Sequence, residues 1–117
     1  MINFIKHYKL EIILAILLAG LYFVSRLINL TALPIFTDEA IYLRWAQIAK
    51  NDANWRFISL TDGKQPLYVW LAMIAMKVVH DPLLAGRLVS VGVGFLGMLF
   101  LGLFAWELFR SKKVAFL

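Results

Sequence analysis

Two acidic residues stand together in Thr37-Asp38-Glu39-Ala40, after one long apolar segment and ahead of two more. Carboxylates beside a membrane are costly unless they face water or carry out chemistry, so Asp38 and Glu39 are the first candidates for moving a proton or orienting a hydroxyl. Other common chemistries find no residues here. There is no cysteine, which excludes disulfides, thiolate zinc sites and cysteine nucleophiles. Nor is there an H-E-x-x-H pair, a Gly-rich phosphate loop or a Ser-His-Asp arrangement. His80-Asp81, followed by Pro82, reads as a turn at a membrane edge.

The surroundings of the acidic pair follow from composition. Of 117 residues, 62% are hydrophobic and only 16% charged, and mean hydropathy is +0.80, so lipid is the solvent expected for most of the chain. A formal charge of +5 suits anionic head groups or a phosphate-bearing ligand. The basic residues are scattered at the edges of apolar runs rather than gathered into a stripe, which argues against nucleic acid as a partner.

The fold class expected is all-α: a polytopic membrane protein with three transmembrane helices, at about 10–30, 66–79 and 84–109. The first run covers the hydrocarbon core at about 1.5 Å per residue, and Ser25-Arg26-Leu27-Ile28-Asn29 offers no signal-peptide cleavage site. The second is short, roughly 14 residues and about 21 Å, between Pro66 and the His80-Asp81-Pro82 break. In the third, Gly86, Ser90 and Gly94 recur every four residues, the spacing that lets helices approach closely. Between the first two runs lies a loop, 31–65, in which four acids balance four bases. Within it Thr37 is placed to cap a surface helix with Asp38 and Glu39 in its first turn and Lys50 in its last. Ile41, Trp45, Ile48 and Ala49 form the apolar face expected to lie along the membrane, with Trp55, Phe57 and Ile58 as interfacial anchors. Beyond Arg110-Ser111-Lys112-Lys113, Val114 to Leu117 reads as the start of a further span, so a fragment of a larger protein is expected.

Three patterns in order carry a family resemblance. Asp38-Glu39-Ala40-Ile41-Tyr42 opens the loop, Lys64-Gln65-Pro66-Leu67-Tyr68-Val69-Trp70 closes it, and Ala85-Gly86-Arg87-Leu88-Val89-Ser90 begins the third run. Together they resemble the amino-terminal part of GT-C glycosyltransferases of the protein O-mannosyltransferase and aminoarabinose transferase type, over nearly the whole chain. The family often has Lys-Pro where this chain has Lys64-Gln65-Pro66.

The resemblance implies transfer of a sugar from a polyprenyl-phosphate donor to an extracytoplasmic lipid, glycan or protein hydroxyl. In that frame Asp38 is the catalytic base or acceptor-holding carboxylate, and Glu39 assists it. Lys64 neutralises the leaving phosphate, and Tyr42 and Arg87 contribute to substrate binding. Some enzymes of this type use a divalent metal held by loop carboxylates, which would make Asp38 a ligand instead. The isolated 117 residues are expected to be inactive. The other function class in play is a non-enzymatic small membrane protein, or transporter segment, whose acidic pair only caps a surface helix.

The same resemblance puts the amino terminus in the cytoplasm, the 31–65 loop outside, His80-Asp81-Pro82 inside and Arg110 to Lys113 outside. Charge supports the first placement through Lys6 and Lys9, and it opposes the last, because Arg110, Lys112 and Lys113 are the densest basic cluster in the chain.

Overall fold

The computed structural model describes residues 9–110, and every regular element among them is helical. Helix α1 is Lys9–Leu27, α2 is Thr37–Asn51, α3 is Leu67–Ala75 and α4 is Pro82–Phe109; short 3-10 turns at Ala53–Trp55 and Ile58–Asp62 join α2 to α3. The basic cluster beyond Arg110 and the last apolar residues, Val114 to Leu117, lie outside the described residues.

Two of these helices, α1 and α4, are long and apolar enough to cross a membrane. The expected middle span differs. Its helix holds nine residues, about 13.5 Å of rise, and Met76 to Val78 already form a turn. It starts at Leu67, with Pro66 just before its first turn, a position where a missing N–H costs nothing. Helix α4 begins two residues earlier than expected. Asp81 supplies the reason: its Oδ1 accepts the Leu84 N–H at 2.9 Å, an N-cap followed by proline at the first helical position.

The described residues form two compact units: residues 9–28 with 91–110, and Asn29–Ser90, so that α4 contributes its first nine residues to the second and the rest to the first. In the first unit α1 has no buried residue, and its apolar side chains project on all sides. An exposed helix that is apolar nearly all round has the composition of a membrane span. Its contacts with the later part of α4 gather at one level. The Tyr22 hydroxyl donates to the Val91 carbonyl at 2.8 Å, and the Phe23 and Phe95 rings meet at 4.8 Å. Gly94 sits against the Tyr22 hydroxyl, which leaves no room for a Cβ.

The second unit holds the main cluster of buried side chains among the described residues: Leu43, Ala46 and Ala49 of α2 close on Val69, Ala72 and Met76 at α3, with Ala85 of α4. The i, i+3, i+6 spacing of the α2 residues gives a face of small side chains that lets α3 approach closely. The inward face of α2 therefore centres on Leu43, Ala46 and Ala49. Of the face expected to lie along the membrane, Ile41 stays exposed, whereas Trp45 packs on the rim of the cluster and Ala49 is buried within it. Gly86 is buried because the Leu43 side chain occupies the space of a Cβ and the Tyr68 hydroxyl lies 2.9 Å from it.

Candidate functional site

The loop that should hold the chemistry is organised by one arginine. Arg87, in the second turn of α4, reaches the first turn of α2, where its Nε donates to Glu39 Oε1 at 2.8 Å and its Nη2 to Oε2 at 2.9 Å. Its Nη1 donates to the carbonyls of Leu30 and Leu33 at 2.7 and 3.0 Å, and Nη2 reaches the Pro34 carbonyl at 3.4 Å. The planar fork of a guanidinium suits this bidentate grip, and the remaining donors are spent on the turn leading into α2. The side chains keep 14% (Arg87) and 21% (Glu39) of their exposure, so both are largely withdrawn from water. Hydrogen bonds from Arg87 hold the Glu39 carboxyl below its ordinary range, against burial, which pushes the other way. Glu39 also accepts the Phe36 N–H at 3.4 Å. Phe36, not Thr37, is the N-cap residue of α2; Thr37 is the first helical residue, so the expected hydroxyl cap is replaced by the carboxylate three residues on.

Asp38 stands one residue before this clamp and behaves differently. It is exposed, and its carboxylate has no hydrogen bond or ion pair with any described residue. Neighbouring positions on a helix face directions about 100° apart, so locking Glu39 inward turns Asp38 away from Arg87.

The other end of the loop returns to the same turn of α2. An open cleft of about 770 Å³ is lined by Glu39, Tyr42, Lys64, Gln65, Tyr68 and Ser90. Lys64 is placed by backbone geometry: Gly63 adopts the left-handed conformation, φ +67°, and closes the 3-10 turn by donating to the Leu60 carbonyl at 3.1 Å. Lys64 then donates its own backbone N–H to the Ser59 carbonyl at 3.0 Å. Its ammonium has no described partner and is exposed. Tyr42 and Tyr68 meet edge to face at 5.7 Å, and the Tyr68 hydroxyl donates to the Gly86 carbonyl at 3.2 Å, fixing the cleft's aromatic wall. Ser90 Oγ is turned back onto the Gly86 carbonyl of its own helix. The back of the loop is tied by Trp70, whose indole N–H donates to the Arg56 carbonyl at 2.6 Å. Lys50 has a further task besides answering its own helix dipole: its Nζ donates to the Met76 carbonyl at 2.8 Å and closes the end of α3.

Of the residues singled out from sequence, the structure thus gathers Glu39, Tyr42 and Lys64 on one cleft. Asp38 is adjacent in the chain but does not line it, and Arg87 joins the site through Glu39. The Arg87–Glu39 link spans 48 positions and is not legible in the sequence as a pair. A signal for it exists, since an arginine at the head of an apolar helix and a glutamate beside a membrane each require a partner. As for a metal, the described residues contain no group of three His, Asp or Glu side chains that could hold one, and Glu39 is already taken by Arg87.

No protein-family model, curated protein or solved structure matches this chain.

Proposed function

We propose that this chain forms the amino-terminal part of an integral membrane glycosyltransferase of the GT-C type, which moves a sugar from a polyprenyl-phosphate carrier to an acceptor hydroxyl outside the cytoplasm. The observation that supports this most is the cleft that brings Lys64, from the end of the loop, against the acidic first turn of α2 and two tyrosines. A cation with no described protein partner, on an aromatic wall, is suited to the phosphate of a lipid carrier.

In this reading the acceptor oxygen attacks the anomeric carbon, the bond from that carbon to the carrier phosphate breaks, and the phosphate leaves with the electron pair. Asp38 takes the acceptor proton, and Lys64 offsets the charge that grows on the departing phosphate. Glu39 holds Arg87 instead of sharing the proton transfer, and Arg87 is a positioning residue that sets the angle at which α2 presents Asp38. Tyr42 and Tyr68 bound the space for donor or acceptor. The acceptor classes are a lipid, glycan or protein hydroxyl.

One observation favours the non-enzymatic reading for part of the pair. Glu39 accepts the Phe36 N–H and grips Arg87, which is what a purely structural acid would do. It leaves Asp38 and Lys64 unexplained. The deciding experiment measures sugar transfer from a radiolabelled polyprenyl-phosphate donor in membranes carrying the chain in its natural reading frame. Asp38→Asn should abolish transfer with membrane insertion intact; transfer retained at the wild-type rate removes Asp38 from the chemistry.

A further inference from the structure

The cleft offers a ligand more than the Lys64 cation. Its lining lies wholly within the Asn29–Ser90 unit and divides by hydrogen-bonding character. One group, Lys64 and Gln65, brings an ammonium and an amide that can donate. The other group is Glu39, Tyr68 and Ser90, whose hydrogens and lone pairs are already partly committed.

The Gly86 carbonyl decides what Tyr68 and Ser90 can present. Both side chains donate their hydroxyl hydrogen to it, each at 3.2 Å. A hydroxyl has one hydrogen and two lone pairs, so one that has already donated can only accept from a ligand. The backbone builds this arrangement. A Cβ at Gly86 would come within 2.9 Å of the Tyr68 oxygen, so glycine lets the tyrosine reach the carbonyl. Ser90 stands four residues on, the position from which a helical serine bonds back to its own helix. Glu39, as a carboxylate, can only accept. Its Oε1 takes the Arg87 Nε hydrogen and its Oε2 those of Arg87 Nη2 and the Phe36 N–H, which leaves about one of its roughly four lone-pair positions open. The Tyr42 hydroxyl has no partner among the described residues and is free to donate or accept.

Charge narrows the ligand further. Arg87 neutralises Glu39, so Lys64 is the uncompensated charge among the lining residues and the cleft is net positive. A ligand with its own ammonium would meet that charge and compete with Arg87 for Glu39. A neutral hydroxyl donates to the same acceptors without the repulsion.

We infer that the cleft holds a neutral, hydroxyl-bearing sugar esterified to the carrier phosphate, in preference to an amino sugar with a free ammonium, and that Ser90 and Tyr68 are the specificity-determining acceptors for its hydroxyls. This rests on the glycosyl-transfer reading. Phosphate and hydroxyls belong to one molecule because Lys64 and the acceptors line one cleft.

The test measures binding to the full chain in lipid discs of three phosphodiesters of one short prenyl alcohol: methyl, hexosyl and aminodeoxyhexosyl. All three carry the same phosphate charge. The hexosyl ester should bind about fivefold more tightly than the methyl ester, and more tightly than the amino ester. Ser90→Ala and Tyr68→Phe should each bring the hexosyl and methyl affinities together, while Ser90→Thr, which keeps a hydroxyl, should hold them apart. Equal affinities in the wild type, or an undiminished difference in both Ser90→Ala and Tyr68→Phe, would overturn the inference and leave phosphate capture by Lys64 standing. Tighter binding of the amino ester would overturn the preference for a neutral sugar. Free methyl hexoside binding as tightly as the hexosyl ester would make the hydroxyls those of an acceptor and overturn their assignment to the donor. Binding of none of the esters would remove the phosphate reading itself, and the inference with it.

Discussion

Helix α1 and the segment 29–90 are both rich in apolar residues, yet only the segment buries them. In α1 no side chain is fully buried, whereas in the segment Val69, Ala46, Ala72 and Ala85 are fully enclosed and Leu43, Ala49 and Met76 nearly so. The difference lies in residue size and placement. Large side chains of α1 such as Leu10, Ile16, Leu17 and Leu21 stay exposed, while Ala46 and Ala49 on one side of α2 let α3 come close. Apolar content alone therefore does not distinguish a helix whose side chains stay exposed from one packed on a neighbour.

Truncation should separate the two regions most strongly. Met76→Ala empties part of the cluster and should cost about 2–5 kcal/mol in unfolding monitored in detergent or lipid discs. Leu17→Ala, on the 62% exposed side of α1, should stay within about 0.5 kcal/mol in the same measurement. Equal losses would mean that α1 is held by protein packing after all.

Next in size is overpacking. Gly86→Val forces Leu43 and Tyr68 aside, and a cost of about 1–3 kcal/mol is expected, read as a lower midpoint and faster proteolysis of the 29–90 segment. Gly92→Val, where nothing lies within 4 Å of a new Cβ, is the matched control and should leave that midpoint unchanged.

Much of this is legible in the chain. The apolar runs, the placement of Asp38 and Glu39 in a helical first turn, and the turn at His80-Asp81 follow from local patterns, and local patterns are what a sequence displays. What stays hidden depends on contacts between distant positions. The length of α3 is one case: Met73 to Val79, with Lys77 its one charge, reads as a continuing helix, but the chain turns after Ala75, where Lys50 supplies a donor to the Met76 carbonyl. The use of Glu39 is another. Its distance from Arg87 along the chain hides that the two acids have separate fates. The cleft is half visible, since the family resemblance marks Tyr42 and Lys64 while the joining of the loop's ends awaits the fold.

A smaller effect ties the Glu39 clamp to pH. Because Arg87 holds the Glu39 carboxyl below its ordinary 4.5, the stability it contributes is fully present above that value and is lost as pH falls through the lowered value. Unfolding midpoints of the 29–90 segment should fall on acidification below about pH 4.5. Glu39→Gln should flatten that dependence. An undiminished dependence in Glu39→Gln would remove the Arg87 clamp from the stability of the segment.

Reception of a lipid-linked phosphate by the cleft beside Lys64 is tested most directly by equilibrium binding. A short prenyl phosphate is titrated onto the full chain in lipid discs, comparing wild type, Lys64→Ala and Lys77→Ala. Removing one charge-assisted hydrogen bond should weaken binding about tenfold in Lys64→Ala. Lys77, exposed and away from the cleft, should be replaceable without effect. Equal affinity in wild type and Lys64→Ala would contradict a phosphate-binding role for the cleft.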